Sequence, residues 1–153
     1  MGSSAVFHKL KAMLATDLDR AAKARRLADV IREFGTYRWV GIYDVDMDQG
    51  LVSNVAWSGA GAPEYPVFPI SKGLTSRAIA NKATVNVGDV QADPDYLTAL
   101  STTRSEIIVP VVDGRGEVAG TIDVESERPH AFDISAQQTL EQCAETLKTF
   151  WRR

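Results

Sequence analysis

The spacing of apolar residues predicts one helix near each end of the chain. Apolar residues recurring at i, i+3, i+4 and i+7 predict a first helix that Gly35 ends. A shorter apolar group before Asp17 predicts a separate helical turn. The same spacing predicts a last helix over residues 134–151, capped either by Ser135 with Gln138 or by Asp133. The apolar positions are Leu10, Met13 and Leu14, then Leu27, Val30, Ile31 and Phe34, and finally Leu140, Cys143, Ala144, Leu147, Phe150 and Trp151.

Between these helices, alternating apolar and polar residues predict two hairpins. YRWVGIYDV and LVSNVAW alternate around MDQG, and SEIIVPVV and EVAGTIDVES alternate around DGRG. PVFPI and ATVNV predict short strands, and GLTSRAIANK predicts a helix. The order predicts an α+β fold, in which an antiparallel sheet carries the N- and C-terminal helices on one face. The excursion over residues 58–104 then covers the other face and places a ligand pocket under loops and short helices.

The second hairpin places three acidic residues on one face of the sheet. If residues 113–116 form the turn of a regular ladder, Val112 pairs with Glu117 and Glu106 pairs with Asp123. Glu125 follows two residues later on the same face. The face toward the helices then carries Val111, Val118, Val109, Gly120, Ile107 and Ile122, and the other face carries Pro110, Ala119, Ile108 and Thr121 with the acids.

Acidic side chains on a covered face need a proton, a metal, a basic side chain or a cationic ligand, because unpaired buried charge is costly. Arg104, Arg77 and Lys72 are candidate internal partners. The residues therefore leave two interpretations open. The cluster is either exposed or paired internally, or it belongs to a binding site.

The first hairpin shows the same division between its two faces. Val40 and Ile42 point one way, whereas Tyr37, Trp39, Gly41 and Tyr43 point the other. The aromatic residues can be plain core, or they can wall a pocket in which Gly41 leaves room for a ligand. Trp57 and Tyr65, in the excursion, are candidates for a lid.

Composition narrows the classes of protein and of partner. A chain of 153 residues with 44% hydrophobic residues predicts a single domain over residues 1–153, with residues 1–16 as a flexible or separate N-terminal helical segment. The net charge of −3 predicts no nucleic-acid partner, and no apolar run reaches the roughly 18 residues of a membrane span. One cysteine and the lack of a signal-peptide pattern predict a reducing, cytoplasmic location.

Metal-binding and cofactor motifs are not found. DVDMDQG resembles the start of a calcium loop, but Gln49 stands where that loop needs glycine and Val55 stands where it needs glutamate. His8 and His130 are isolated in the sequence. We therefore predict neither a metal site nor a cofactor.

Four segments together resemble GAF domains: WVGIY, PISKGLTSRAIA, SEIIVPVVDGRGEVAGTIDVES and AFDISAQQTLEQ. More narrowly, they are similar to the branch that contains free methionine-R-sulfoxide reductases. In that branch an aromatic pair and several carboxylates hold the substrate. The resemblance carries these roles to Trp39, Tyr43, Glu106, Asp123 and Glu125, the residues that alternation places on one face.

The reductases also use cysteine thiolates, and here the resemblance fails. The positions that correspond to their cysteines hold Tyr65, Thr75 and Ala99. Cys143, the one cysteine, falls on the apolar stripe of the last helix and is interpreted as structural.

We therefore predict a GAF sensory or regulatory domain that binds a cationic or zwitterionic small molecule, such as a methionine-like amino acid, and forms homodimers through its helices. The alternatives are a reductase-like enzyme and a structural or dimerisation domain with a degenerate pocket.

Overall fold

The computed structural model describes residues 2–97 and 101–151. Over these residues the chain forms α-helices and β-strands in the predicted order, joined by short loops. They are α1 Ser4–Leu14, α2 Arg20–Gly35, β1 Trp39–Asp46, β2 Leu51–Gly59, β3 Val67–Pro69, α3 Gly73–Asn81, β4 Val85–Val87, β5 Ser105–Val112, β6 Val118–Ser126 and α4 Ile134–Thr146. Short 3₁₀ turns cover Val90–Ala92 and Lys148–Trp151.

The strands of the described chain form one antiparallel sheet in the order β3-β2-β1-β6-β5-β4. The two hairpins meet along β1 and β6, so the aromatic strand lies beside an acidic one. Trp39 is opposite Glu125, and Gly41 is opposite Asp123. The predicted α+β architecture is confirmed.

Helices α1, α2 and α4 cover one face of the sheet and enclose the larger hydrophobic core. Residues 4–14 form a helix of their own, and Val6 and Leu10 are buried in that core. The next helix, α2, ends at Gly35, and Thr36 adopts the left-handed conformation common at helix ends.

The last helix begins where one of the two predicted caps places it. Asp133 is the cap, since its carboxylate accepts a 2.8 Å hydrogen bond from the amide of Ala136. The helix ends at Thr146 rather than continuing to Trp151, because the chain tightens there into the 3₁₀ turn. The predicted apolar stripe is buried along its whole length.

The predicted pairing of the second hairpin is wrong by two residues. Glu106 is opposite Glu125, and Asp123 is opposite Ile108. One residue of the shift arises because Val112 pairs with Val118 rather than Glu117, and the second arises from a β-bulge between Val111 and Val112. A shift of two residues preserves the face of every side chain beyond the bulge. At the bulge itself the faces are exchanged: Val118 packs on the side away from the helices, and Ala119 packs against the helix-side core.

Among the described residues, none of the helices is both long enough and apolar enough to cross a lipid bilayer.

Candidate functional site

The face of the sheet away from α1, α2 and α4 carries a cluster of three carboxyl groups, named here the acidic cluster. Its members are Glu106 on β5 and Asp123 and Glu125 on β6, and their exposed fractions are 3%, 5% and 0%. A carboxylate oxygen from each lies within 4.8 Å of the other two. The direct pairing of Glu106 with Glu125 and the two-residue spacing to Asp123 produce this convergence.

No lysine, arginine or histidine of the described chain forms an ion pair with the acidic cluster. Of the predicted internal partners, Arg77 pairs instead with Asp93 at 2.6 Å, and neither Arg104 nor Lys72 forms an ion pair with these carboxyl groups. The prediction of internal pairing is therefore wrong for these three residues. The cluster is buried without a basic side chain, which is costly for ionised groups.

Neighbouring hydroxyl groups form hydrogen bonds with only some of the oxygens in the acidic cluster. Thr103 donates a short hydrogen bond to Oε1 of Glu125, and Tyr96 also hydrogen-bonds that carboxyl group. In contrast, Asp123 Oδ1, Glu125 Oε2 and the hydroxyl of Thr121 are buried and have no hydrogen-bond partner in the protein. Unpartnered buried polar atoms are rare in folded proteins, and they mark positions where another group is expected.

Burial and mutual repulsion hold protons on these carboxyl groups. Burial raises the pKa of Asp123 to about 6, and burial together with the charge of Asp123 raises the pKa of Glu125 to about 8. The pKa of Glu106 is raised well above its usual range, first by burial, then by the charges of the two neighbouring acids and by hydrogen bonding to them, which favours a protonated Glu106.

Two aromatic side chains of β1 form the wall beside the acidic cluster. Trp39 is fully buried and Tyr43 is 3% exposed, and their ring centroids are 6.5 Å apart. The indole nitrogen of Trp39 donates to the carbonyl of Gly61 at 2.8 Å. A Cβ on Gly41 would lie 2.4 Å from the Trp39 ring and 2.8 Å from the Tyr43 ring. The glycine thus leaves room for the two rings themselves, and the expectation that it leaves room for a ligand is wrong.

The excursion closes over this face and leaves a cavity of about 20 Å³, roughly enough space for one water molecule. Its floor includes Glu106, Asp123 and Ile108, and the start of α3 forms one side. The excursion residues that line it are Tyr65, Phe68, Gly73, Leu74, Thr75 and Leu97, with Tyr43 from β1. Of the predicted lid residues, Tyr65 lines the cavity, whereas Trp57 does not and packs under the guanidinium of Arg25 at 5.1 Å.

Sequence reasoning missed several residues of the site. Phe68, Leu74 and Leu97 belong to segments whose position over the sheet depends on long-range packing. Thr103 and Tyr96, which contact Glu125, lie between ATVNV and SEIIVPVV, where the sequence predicted neither a helix nor a strand. No local pattern in the sequence identifies these residues as part of the site.

The structure brings partly together the residues that the resemblance assigns to the cysteine positions of the reductases. Tyr65 and Thr75 both line the cavity, while Ala99 lies outside the described residues. Cys143 is 1% exposed in the helix-side core, on the opposite face of the sheet, and burial raises the pKa of its thiol to about 12. This thiol is neither near the cavity nor a ready nucleophile.

The sequence and the fold of this chain are similar to those of several known proteins. The family model described as "GAF domain" matches residues 17–150. Protein YtsP of Bacillus subtilis is 29% identical over 142 residues, which cover 92% of this chain and 85% of that protein. The free methionine-R-sulfoxide reductase of Saccharomyces cerevisiae is 28% identical over 111 residues, covering 71% of this chain and 60% of that protein. The crystal structure of the Neisseria meningitidis free methionine-R-sulfoxide reductase with its substrate superposes with a TM-score of 0.86 and 30% identity, covering 97% of this chain and 87% of that chain.

Proposed function

The chain belongs to the GAF domain family, and we propose that the face carrying the acidic cluster binds a small cationic or zwitterionic molecule. The observation that carries the proposal is the burial of three carboxyl groups with no basic partner among the described residues. A ligand ammonium group supplies both the missing positive charge and up to three hydrogen-bond donors.

Each predicted site residue has a role in this proposal. Glu106, Asp123 and Glu125 receive the ammonium group, and the unpartnered oxygens of Asp123 and Glu125 are its first acceptors. Trp39 and Tyr43 wall the side of the site, where their faces contact the apolar part of the ligand or attract its cationic part. A methionine-like amino acid fits this combination of charge and aromatic contact.

The covering residues have to move when such a ligand enters. A cavity of about 20 Å³ is far smaller than the roughly 300 Å³ at the lower end of ligand pockets. Tyr65 is 44% exposed and belongs to the cover, so outward rotation of its ring disturbs little of the core. Entry of the ligand therefore opens the cover while the sheet, which carries the acidic cluster, stays in place.

A thermal-shift screen in buffer containing EDTA tests the proposal. The panel holds methionine, both methionine sulfoxide epimers, other amino acids, polyamines and cyclic nucleotides. At 100 times its Kd, a ligand stabilises by about 2.7 kcal/mol, which is a shift of roughly 5–11 °C for a chain of this length. N-acetylmethionine, which lacks the ammonium group, is expected to give no shift.

Matched variants assign any response to the acidic cluster. Asp123→Asn keeps the shape of the side chain but removes its charge, and is expected to abolish the ligand-induced shift. Glu117→Gln changes an exposed acid on the same hairpin and is expected to keep it. An unchanged shift in Asp123→Asn, or a flat response across the whole panel, contradicts the proposal and favours a structural domain with a degenerate pocket.

Reductase activity is the second candidate, because the N. meningitidis reductase is 30% identical and superposes closely. The chain has one cysteine, and that thiol lies on the far side of the sheet from the cavity. We therefore assign the site a binding role rather than thiol chemistry. Methionine-R-sulfoxide turnover by the purified protein would reverse this assignment.

We further propose a homodimeric domain in the reducing cytoplasm, which acts on a partner protein and not on nucleic acid. The single buried cysteine supports the reducing location, and the net charge of −3 argues against nucleic acid as the partner.

A further inference from the structure

We propose that Glu106, Asp123 and Glu125 also form a site for one divalent cation of the size of Ca²⁺, bound when no organic ligand is present. This proposal rests on the geometry of the cluster and does not depend on the proposed ligand. Occupation by the ion and by an ammonium group are mutually exclusive, because both use the same oxygens.

The spacing of the carboxyl groups fits one ion. Ca²⁺ binds oxygen at about 2.3–2.6 Å, so two of its ligands stand at most about 4.6–5.2 Å apart. One oxygen from each of the three acids already lies within 4.8 Å of the others. No large movement of β5 or β6 is needed to surround an ion with these side chains.

The unpartnered atoms supply the second, separate observation. Asp123 Oδ1 and Glu125 Oε2 have no hydrogen-bond partner, on side chains that are 5% and 0% exposed. Asp123 also lines the cavity. A bound cation gives both oxygens a positively charged partner, which no basic side chain of the described chain supplies.

The donors favour Ca²⁺ over other metals. The donors identified in the site are carboxylate and hydroxyl oxygens, and Cys143 lies on the other face of the sheet, so soft metals that prefer sulfur are disfavoured. Mg²⁺ usually retains several water molecules, while the cavity has room for roughly one. Ca²⁺ takes about six to eight oxygens, and the three carboxyl groups offer two each.

Isothermal titration of CaCl₂ into the full chain, stripped with EDTA and free of amines, tests the site directly. We expect one Ca²⁺ bound per chain and a thermal shift of roughly 5–11 °C at 100 times the Kd. MgCl₂ at the same concentration is expected to give a clearly smaller shift. Absence of Ca²⁺ binding to the wild-type protein overturns the proposal.

Three variants localise the ion. Asp123→Asn and Glu125→Gln are each expected to abolish Ca²⁺ binding while the protein stays folded by circular dichroism. Asp48→Asn, in the exposed DVDMDQG turn, is expected to bind Ca²⁺ like wild type. Loss of binding in Asp48→Asn with retention in Asp123→Asn assigns the ion to the surface turn and overturns the proposal.

The two proposals for this face fail independently. A Ca²⁺ response without any response to amines or amino acids upholds the ion site and contradicts the ligand proposal. A response to an ammonium ligand without one to Ca²⁺ does the reverse. If both bind, Ca²⁺ is expected to weaken binding of the ammonium ligand in proportion to its own occupancy.

Discussion

Single buried carboxyl groups govern how the ligand-free protein responds to pH. Glu125 is fully buried, and its Oε2 has no partner, so the folded state favours its neutral form. Its pKa is about 8 in the folded protein, against an ordinary value of 4.5, and that of Asp123 is about 6 against 3.8. The folded state therefore binds more protons than the unfolded state between these values.

Because the folded-state pKa values are raised, these groups stabilise the fold fully at low pH and lose that contribution as the pH rises. We expect the free energy of unfolding in EDTA to fall between about pH 5 and pH 8, by an amount on the order of a few kcal/mol. Urea denaturation at four pH values measures the slope. Glu125→Gln is expected to flatten it and Glu117→Gln to leave it unchanged; equal slopes in both variants would rule out the cluster as its source.

Cys143 is a second residue whose chemistry follows from burial. With a pKa of about 12, its thiol is almost wholly protonated at pH 8, and the helix-side core shields it. We expect a disulfide reagent such as DTNB to label the native protein only at the slow rate of unfolding, and rapidly after addition of urea. Cys143→Ala provides the unlabelled control. Rapid labelling of the native protein would contradict the structural role.

At the level of elements, the β-bulge in the second hairpin decides what the strands β5 and β6 present. It exchanges the faces of Val118 and Ala119, while Gly120 next to it lies beneath the 3₁₀ turn Lys148–Trp151. The indole nitrogen of Trp151 donates to the carbonyl of Tyr43 at 3.1 Å across this glycine. This hydrogen bond ties the 3₁₀ turn to the central strand β1.

Gly120→Ala tests this junction, since a Cβ there would lie 2.0 Å from the Trp151 indole nitrogen and 2.5 Å from the Tyr43 carbonyl oxygen. We expect a loss of about 1–3 kcal/mol, or more, in unfolding free energy, because a rigid ring and a backbone atom both have to move. Gly114→Ala is the matched control, with nothing within 4 Å of the added carbon, and its effect is expected to be small. A Gly120→Ala variant with unchanged stability would contradict this expectation and would show that Trp151 and Tyr43 accommodate the added methyl group.

On the scale of the whole molecule, the sheet separates the helix layer from the layer that we propose to bind a ligand. The helix side holds the larger apolar core, and the opposite side holds the acidic cluster, the aromatic wall and the cover. In the proposed regulatory domain, a signal from the ligand would have to pass through the sheet or along its edges. The proposed homodimer would receive it at the helices.

Sedimentation equilibrium tests the dimer against a chain mass of 16.7 kDa. We expect twice this mass, and a shift toward the monomer in Phe34→Lys, which charges a 39% exposed apolar residue of α2. Met47→Lys, at a 42% exposed residue of the β1–β2 turn, is the matched control and should remain dimeric. A monomeric wild-type protein would remove the dimer from the proposal.

The sequence by itself determined the order of the elements and the face of the strand side chains on which the site depends, although not the faces of Val118 and Ala119. Alternation along a strand has a period of two, so Trp39, Tyr43, Glu106, Asp123 and Glu125 share a face whether or not the register is known. Even an error of two residues in the predicted pairing left the acids on that face. Helical spacing likewise identified the buried stripe of α4.

Only the tertiary structure decided which other groups those side chains contact. Four features depend on contacts that the local sequence does not specify. They are the bulge, the pairing of Arg77 with Asp93, the two rings that fill the space at Gly41, and the closure of the cover. Local periodicity carries no information about such contacts, because they are selected by packing and by the cost of leaving polar atoms unpaired. The acids were visible in the sequence, but the lack of a basic partner was visible only in the fold.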